Sequence, residues 1–456
     1  MLQRRDAMKM MNRNTLVFSG ILSLTGCAAN APPAAQNANL TSITTPKSTN
    51  EKSTIEIVES APLETTLDHA DVPNTDQVWL DMIAHAQRSI SLAIFYASTQ
   101  PGDRLEPIVK AIEAAAARNV DVRLVFDASF YEKNKDVPNR LAANPSIKVR
   151  LIDIKSRTNG VLHAKYFIVD DVDTYVGSAN FDGRALEHIQ EIGVRVKDRD
   201  IARTLDQVFR YDWRDSQTLD PKSPLKQAVS ANVTVDQPAP QSYAKQPLAL
   251  PLPNLPVTIS HAGEETQVTP LVSPRRLMPE GYASLDELPH LVRAIDGAKT
   301  SIDLQLLTYS INTDDIAHKF LTLDDALRRA DARGVTVRML VSDWNLDDNK
   351  IESLRELARS SKIKIDILTI PPFSSGFIPY ARVSHAKYMV VDAKESWVGS
   401  SNWEESYFTR TRNIGLMIDG SKFAGELETI FTSGWTSAYA KPFDVNATYT
   451  PRKRSE

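Results

Sequence analysis

The sequence predicts an α/β protein built from two tandem copies of one unit, and three observations lead there. First, one signature, H-x-K-x4-D-x6-G-S-x-N, occurs twice without insertion: His163, Lys165, Asp170, Gly177, Ser178 and Asn180, then His385, Lys387, Asp392, Gly399, Ser400 and Asn402. Second, apolar strand-like runs recur in the same order, SISLAIFY (89–96) before SIDLQLLTY (301–309), and DVRLVFD (121–127) before VTVRMLVSD (335–343). Third, each run is separated from the next by a segment with helical spacing of apolar residues, the β-α-β pattern of a sheet covered by helices.

The 456 residues, 42% hydrophobic and 24% charged with net charge −4, fit a globular chain of two or three domains. No overall basic excess advertises a nucleic-acid binder, although a local basic cleft would not show in that sum. The lone cysteine, Cys27, excludes an intrachain disulfide and a cysteine-built zinc site. It closes Leu24-Thr25-Gly26-Cys27, after a basic segment (Arg4, Arg5, Lys9, Arg13) and an apolar run from Leu16 to Leu24. That run is short for a membrane span and reads as a signal peptide, 1–27. Leu-Thr-Gly-Cys resembles a bacterial lipobox, which implies lipidation of Cys27 and an outer-membrane lipoprotein facing the periplasm.

Residues 28–54, rich in Ala, Pro, Asn, Ser and Thr, cannot bury a core and read as a tether. The first domain, 55–214, is expected to hold helices over 77–88, 105–118, 138–143 and 201–213, and strands over 89–96, 121–127 and 148–153. Eight prolines between Pro221 and Pro256 mark 215–274 as a connector, with an edge strand near 257–260. The second domain, 275–440, repeats the programme with helices over 284–299, 314–333, 350–359 and 423–435, and a strand over 362–370. The basic tail, 441–456, reads as solvated.

Each His-x-Lys is predicted on a strand, where residues i and i+2 share a face, so His163 projects with Lys165 and His385 with Lys387. Asp170 and Asp392, at i+7, fall on the other face and read as supports, as do Ser178 and Ser400. Two imidazoles and two ammonium groups suit a pentavalent phosphorus: the lysines and the amides of Asn180 and Asn402 stabilise its oxygens, one histidine attacks, and the other serves as general acid and base. Glu191 follows His163 by 28 residues and Asn413 stands at the equivalent place after His385. A carboxylate favours the phosphohistidine side, so this spacing assigns His163 as nucleophile and His385 as acid/base. The lysines would repel a cation, so no metal or other cofactor is expected. His69, His85, His188, His261, His290 and His318 read as ordinary structural histidines.

These motifs resemble the phospholipase D superfamily, over about residues 55–440. The resemblance implies two halves packed face to face as a pseudo-two-fold pair around one active site. Ile378 to Val390, Ser401-Asn402-Trp403 with Tyr407-Phe408-Thr409, and Gly160 to His163 are similar to the branch of lysosomal phospholipase-D-like enzymes and poxviral envelope phospholipases. The first expected function is a monomeric, membrane-tethered phospholipid phosphodiesterase or phosphatidyltransferase of the cardiolipin synthase kind. The second is a nuclease on single strands, with Trp403, Tyr407 and Phe408 as a stacking platform; the third is a silent envelope scaffold.

Overall fold

The computed structural model describes residues 52–222, 252–278 and 280–455. Cys27, the leader, nearly all of the tether and 223–251 of the connector lie outside them. The expected duplication is present as two mixed sheets. The first contains β1 (Thr54–Ser60), β2 (Ser89–Ile94), β3 (Asp121–Asp127), β4 (Ile147–Ile152), β5 (Lys165–Val169), β6 (Asp173–Gly177), β7 (Glu191–Lys197) and β8 (Gln217–Thr218). Its spatial order is β1-β7-β6-β5-β2-β3-β4-β8. The second contains β9 (Val257–His261), β10 (Glu264–Ser273), β11 (Ser301–Leu306), β12 (Thr336–Ser342), β13 (Lys364–Leu368), β14 (Tyr388–Val391), β15 (Glu395–Gly399), β16 (Asn413–Asp419) and β17 (Ala440–Pro442). Its order, β9-β10-β16-β15-β14-β11-β12-β13-β17, repeats the first with β9 added at the edge.

Strand alternation divides the apolar residues into three layers. Tyr166 and Ile168 of β5, with Tyr388 and Val390 of β14, face a central core between the sheets, which the helices 199–214 and 421–436 also enter. Phe167 and Val169 face an outer core under helices 75–84 and 105–117. Met389 and Val391 face the matching core under helices 287–297, 322–332 and 348–359. The period of two thus places each signature strand between two apolar layers and leaves only its amino-terminal end for chemistry.

Several expectations need correction. β10 falls in the expected connector, yet Gln267 to Ser273 pair with the whole of β16, so the second domain begins within the proline-rich stretch. Its alternation is blurred by Pro270, and the flanking prolines hide it. The helix expected over 314–333 occupies only 322–332; the residues before it form a loop closed by an Asn312–Lys319 bridge. The tail is docked rather than solvated. Arg452 donates to Asp343, Ile370 O and Arg382 O at 2.8–3.1 Å, and Arg454 lies over the Trp344 ring at 4.6 Å.

Candidate active site

The two signatures meet because each half lends the other one short parallel bridge. Leu162 bridges Arg412, and Gln190 bridges Ser384. The His163 amide donates to Arg412 O at 2.9 Å, and the His385 amide to Gln190 O at 2.8 Å. Thr158 Oγ1 donates to Arg410 O at 2.6 Å beside Gly160, where a Cβ would stand 2.1 Å from the same oxygen. Only glycine permits that approach. The first seam also carries a buried ion pair, Arg412 to Asp212 at 3.0 Å, with Arg412 further donating to Leu277 O at 2.8 Å.

This pairing overturns the expected partners. Glu191 serves His385, not His163: His385 Nδ1 lies 2.8 Å from Glu191 Oε2. His163 Nδ1 lies 3.0 Å from Asn413 Oδ1. Sequence spacing related Glu191 to the histidine of its own half, whereas the seam brings the residue after Gln190 beside His385 and the residue after Arg412 beside His163. The role assignment built on that spacing loses its premise.

Both partners are held by the signature serines. Ser178 Oγ donates to Glu191 Oε2 at 2.6 Å, and Ser400 Oγ to Asn413 Oδ1 at 3.0 Å. Asn413 Nδ2 donates to the Tyr407 and Thr411 carbonyls, which leaves its oxygen as acceptor. Both histidines therefore carry their proton on Nδ1 and keep Nε2 for chemistry. Asp170 and Asp392 are supports as expected. Asp170 accepts from the amides of Gln87, Arg88 and Ser89, and Asp392 from those of Lys299, Thr300 and Ser301. Each opens the short hairpin connection to the next strand with positive φ, at 54° and 53°.

Lys165 begins β5, while Lys387 and both histidines precede their strands. Each lysine Nζ donates to the carbonyl of its own histidine, Lys165 at 2.5 Å, and so stays beside it. Burial lowers all four groups: it holds the His385 imidazole at about 4 and the Lys387 ammonium at about 7, with the Glu191 carboxylate opposing both shifts. His163 is depressed by burial and then by Lys165 and Lys387. Burial pushes Glu191 up, but His385, Lys387 and the Ser178 hydrogen bond together outweigh it and the carboxyl stays below its usual range. Burial thus disfavours positive charge on these groups, and a bound anion would restore it. Asn180 and Asn402 are buried, and their Oδ1 atoms have no hydrogen-bond partner among the described residues.

An aromatic wall stands beside His163, and of its residues the sequence pointed only to Tyr407. The rings of Phe95 and Tyr407 each lie 5.1 Å from the imidazole, and Phe130 lies 4.1 Å from Phe95. Trp403 and Phe408, expected in a platform, are instead buried in the outer core of the second half. Other histidines have structural partners, for example His69 with Glu59 and His261 with Ile55 O. Gln190, Arg412 and Gly160 were also missed, since nothing in a single strand signals a partner in the other half.

The family described as "Cardiolipin synthase, PLD-like domain" matches residues 79–213 and 291–435. "Phospholipase D Z" of Dictyostelium discoideum is 30% identical over 410 residues, covering 85% of this chain and 90% of that protein. "5'-3' exonuclease PLD3" of Rattus norvegicus is 30% identical over 418 residues, covering 86% and 81%. A crystal structure of phosphatidylserine synthase from Haemophilus influenzae Rd KW20 shares the fold, with a TM-score of 0.59 at 14% identity over 81% of this chain and 85% of that one. With the duplicated signature, the shared topology and these relatives together, the chain belongs to the phospholipase D superfamily.

Proposed function

We propose that the protein is a phosphodiesterase acting through a covalent phosphohistidine, with single-stranded nucleic acid as substrate. The observation that carries the chemistry is the crossed pairing of His385 with Glu191 and His163 with Asn413 at the meeting of the two signatures. The carboxylate criterion, applied to that pairing, makes His385 the nucleophile. Its neutral Nε2 attacks phosphorus while Nδ1–H stays bonded to Glu191, which stabilises the charged phosphohistidine. Lys165, Lys387 and the amides of Asn180 and Asn402 offset charge on the phosphoryl oxygens. The bound diester favours a protonated His163, which gives its proton to the leaving oxygen. The same imidazole then takes a proton from water, and the hydroxide releases the phosphoryl group from His385.

Substrate class follows from the surroundings. The Phe95–Phe130 wall beside His163 suits stacked bases, and relatives named as exonucleases support the reading. This reverses the order in which composition ranked the two substrates. The phospholipid reading stands second, supported by the relative named phospholipase D and by half-exposed Phe377 (51%) and Tyr380 (52%) on the loop leading to His385. Lipidation of Cys27 would hold the enzyme on a membrane under either reading.

The test gives the full-length protein a labelled single-stranded oligonucleotide and, separately, phosphatidylglycerol vesicles, with His385→Ala in parallel. Shortening of the oligonucleotide by wild type alone supports the first reading. Head-group release with the oligonucleotide intact replaces it with the second.

A further inference from the structure

We propose that a pocket beside His163, bounded by Phe130, Lys133 and Lys155, is a subsite for a second phosphate of the substrate, next along the strand from the scissile one. This rests on the nucleic-acid reading above. The cavity measures about 280 Å³ and is lined by the turn after β3 (Ser129, Phe130, Lys133) and the segment after β4 (Lys155, Asn159, Gly160). That is slightly below the usual size of a whole-ligand pocket, so it suits one unit of a longer substrate. It shares a wall with the reacting centre, because Phe130 packs on Phe95 and Phe95 on His163. Gly160 lies three residues before His163 on the same segment.

Charge points to the ligand. Nearby carboxylates are engaged: buried Asp127 accepts from the Ser129 and Leu162 amides at 2.9 and 2.6 Å, Glu132 pairs with Lys135 at 3.8 Å, Asp153 accepts from the Ser156 amide at 2.9 Å, and Asp215 pairs with Arg157 at 3.2 Å. Lys133 and Lys155 are exposed and have no carboxylate partner among the described residues. The second half sharpens the point. Its equivalent corner, after β12 and β13, holds the carboxylates of Asp343 and Asp347, which the C-terminal Arg452 and Arg454 neutralise. One corner is therefore acidic and covered by the chain's own cations; the other is cationic and open. An anion complements the open one, and a phosphodiester strand leaving His163 along the aromatic wall supplies it.

The experiment compares wild type with Lys133→Ala/Lys155→Ala, as full-length proteins, on a single-stranded oligonucleotide and on bis(p-nitrophenyl) phosphate, which has one phosphate. The expected result is a fall of about 10- to 100-fold in the ratio of kcat/KM for oligonucleotide over small diester. The dependence of log kcat/KM on log salt should become shallower by about 1.4, the value for two lost contacts on a single strand. Lys133→Arg/Lys155→Arg should restore both. An unaltered ratio with oligonucleotide still cleaved, or equal losses on both substrates, overturns the subsite alone. A wild type that turns over the small diester but no oligonucleotide overturns the nucleic-acid reading and the subsite with it.

Discussion

His163 and His385 occupy equivalent places in the two halves, bonded through the same atom to the residue after the same seam, yet one partner is an amide and the other a carboxylate. The seams themselves differ in the same way. The one beside His163 contains the buried Arg412–Asp212 ion pair, whereas beside His385 Gln190 accepts from neutral Gln305 at 2.8 Å. Duplication supplied a symmetric frame, and single substitutions on it separate two imidazoles that geometry alone would leave interchangeable. The lesson is that role resides in the partner donated by the opposite half, not in the signature.

Making the two histidines alike should have the largest effect. Glu191→Gln preserves the hydrogen-bond geometry but removes the charge, and kcat should fall by roughly 10²- to 10⁴-fold. Asn413→Gln, measured in the same steady-state assay, should cost far less. The seams provide the next contrast. Arg412→Ala leaves Asp212 buried without its main cation and should destabilise the fold by about 3–5 kcal/mol in chemical denaturation. Gln190→Ala breaks neutral bonds and should cost about 1–2 kcal/mol.

Acid should act on the catalytic pair through the folded state. The folded His385 titrates at about 4, below its ordinary 6.5, so between these values the unfolded chain binds more protons. Its contribution to stability is complete above pH 6.5 and is lost as pH falls toward 4. A denaturation series across that window should show the loss, and His385→Gln should flatten it. The smallest effect is expected at the hairpin clamps. Asp170→Asn and Asp392→Asn should each cost about 1–2 kcal/mol of stability with kcat within about threefold of wild type, because each aspartate gathers turn amides, and Asp392 also the Thr300 hydroxyl, away from the histidines.

Much of this arrangement was legible in the chain. The repeated signature singled out His163, Lys165, Asn180, His385, Lys387 and Asn402; Asp170 and Asp392 gather amides from the turns at the strand ends, not from a strand's opposite face as the odd offset implied. β2 with β11 and β3 with β12 were visible because their apolar runs, bounded by turns, recur in the same order in both halves. What failed was anything set by pairing between distant segments. β10 hid among prolines, Arg452 and Arg454 gave no sign that Asp343 and Asp347 awaited them, and the crossing of Glu191 to His385 depends on two bridges that no local pattern encodes.

The central claim, that Glu191 makes His385 the nucleophile, is tested most directly by trapping the covalent intermediate. Full-length His163→Ala, mixed with bis(p-nitrophenyl) phosphate, should release one equivalent of nitrophenol in a burst, since that leaving group needs no proton. Rapid quenching at alkaline pH and peptide mass mapping should then find the phosphoryl group on the peptide containing His385. A phosphoryl group on His163 in wild type, with a burst from His385→Ala and none from His163→Ala, would contradict the account.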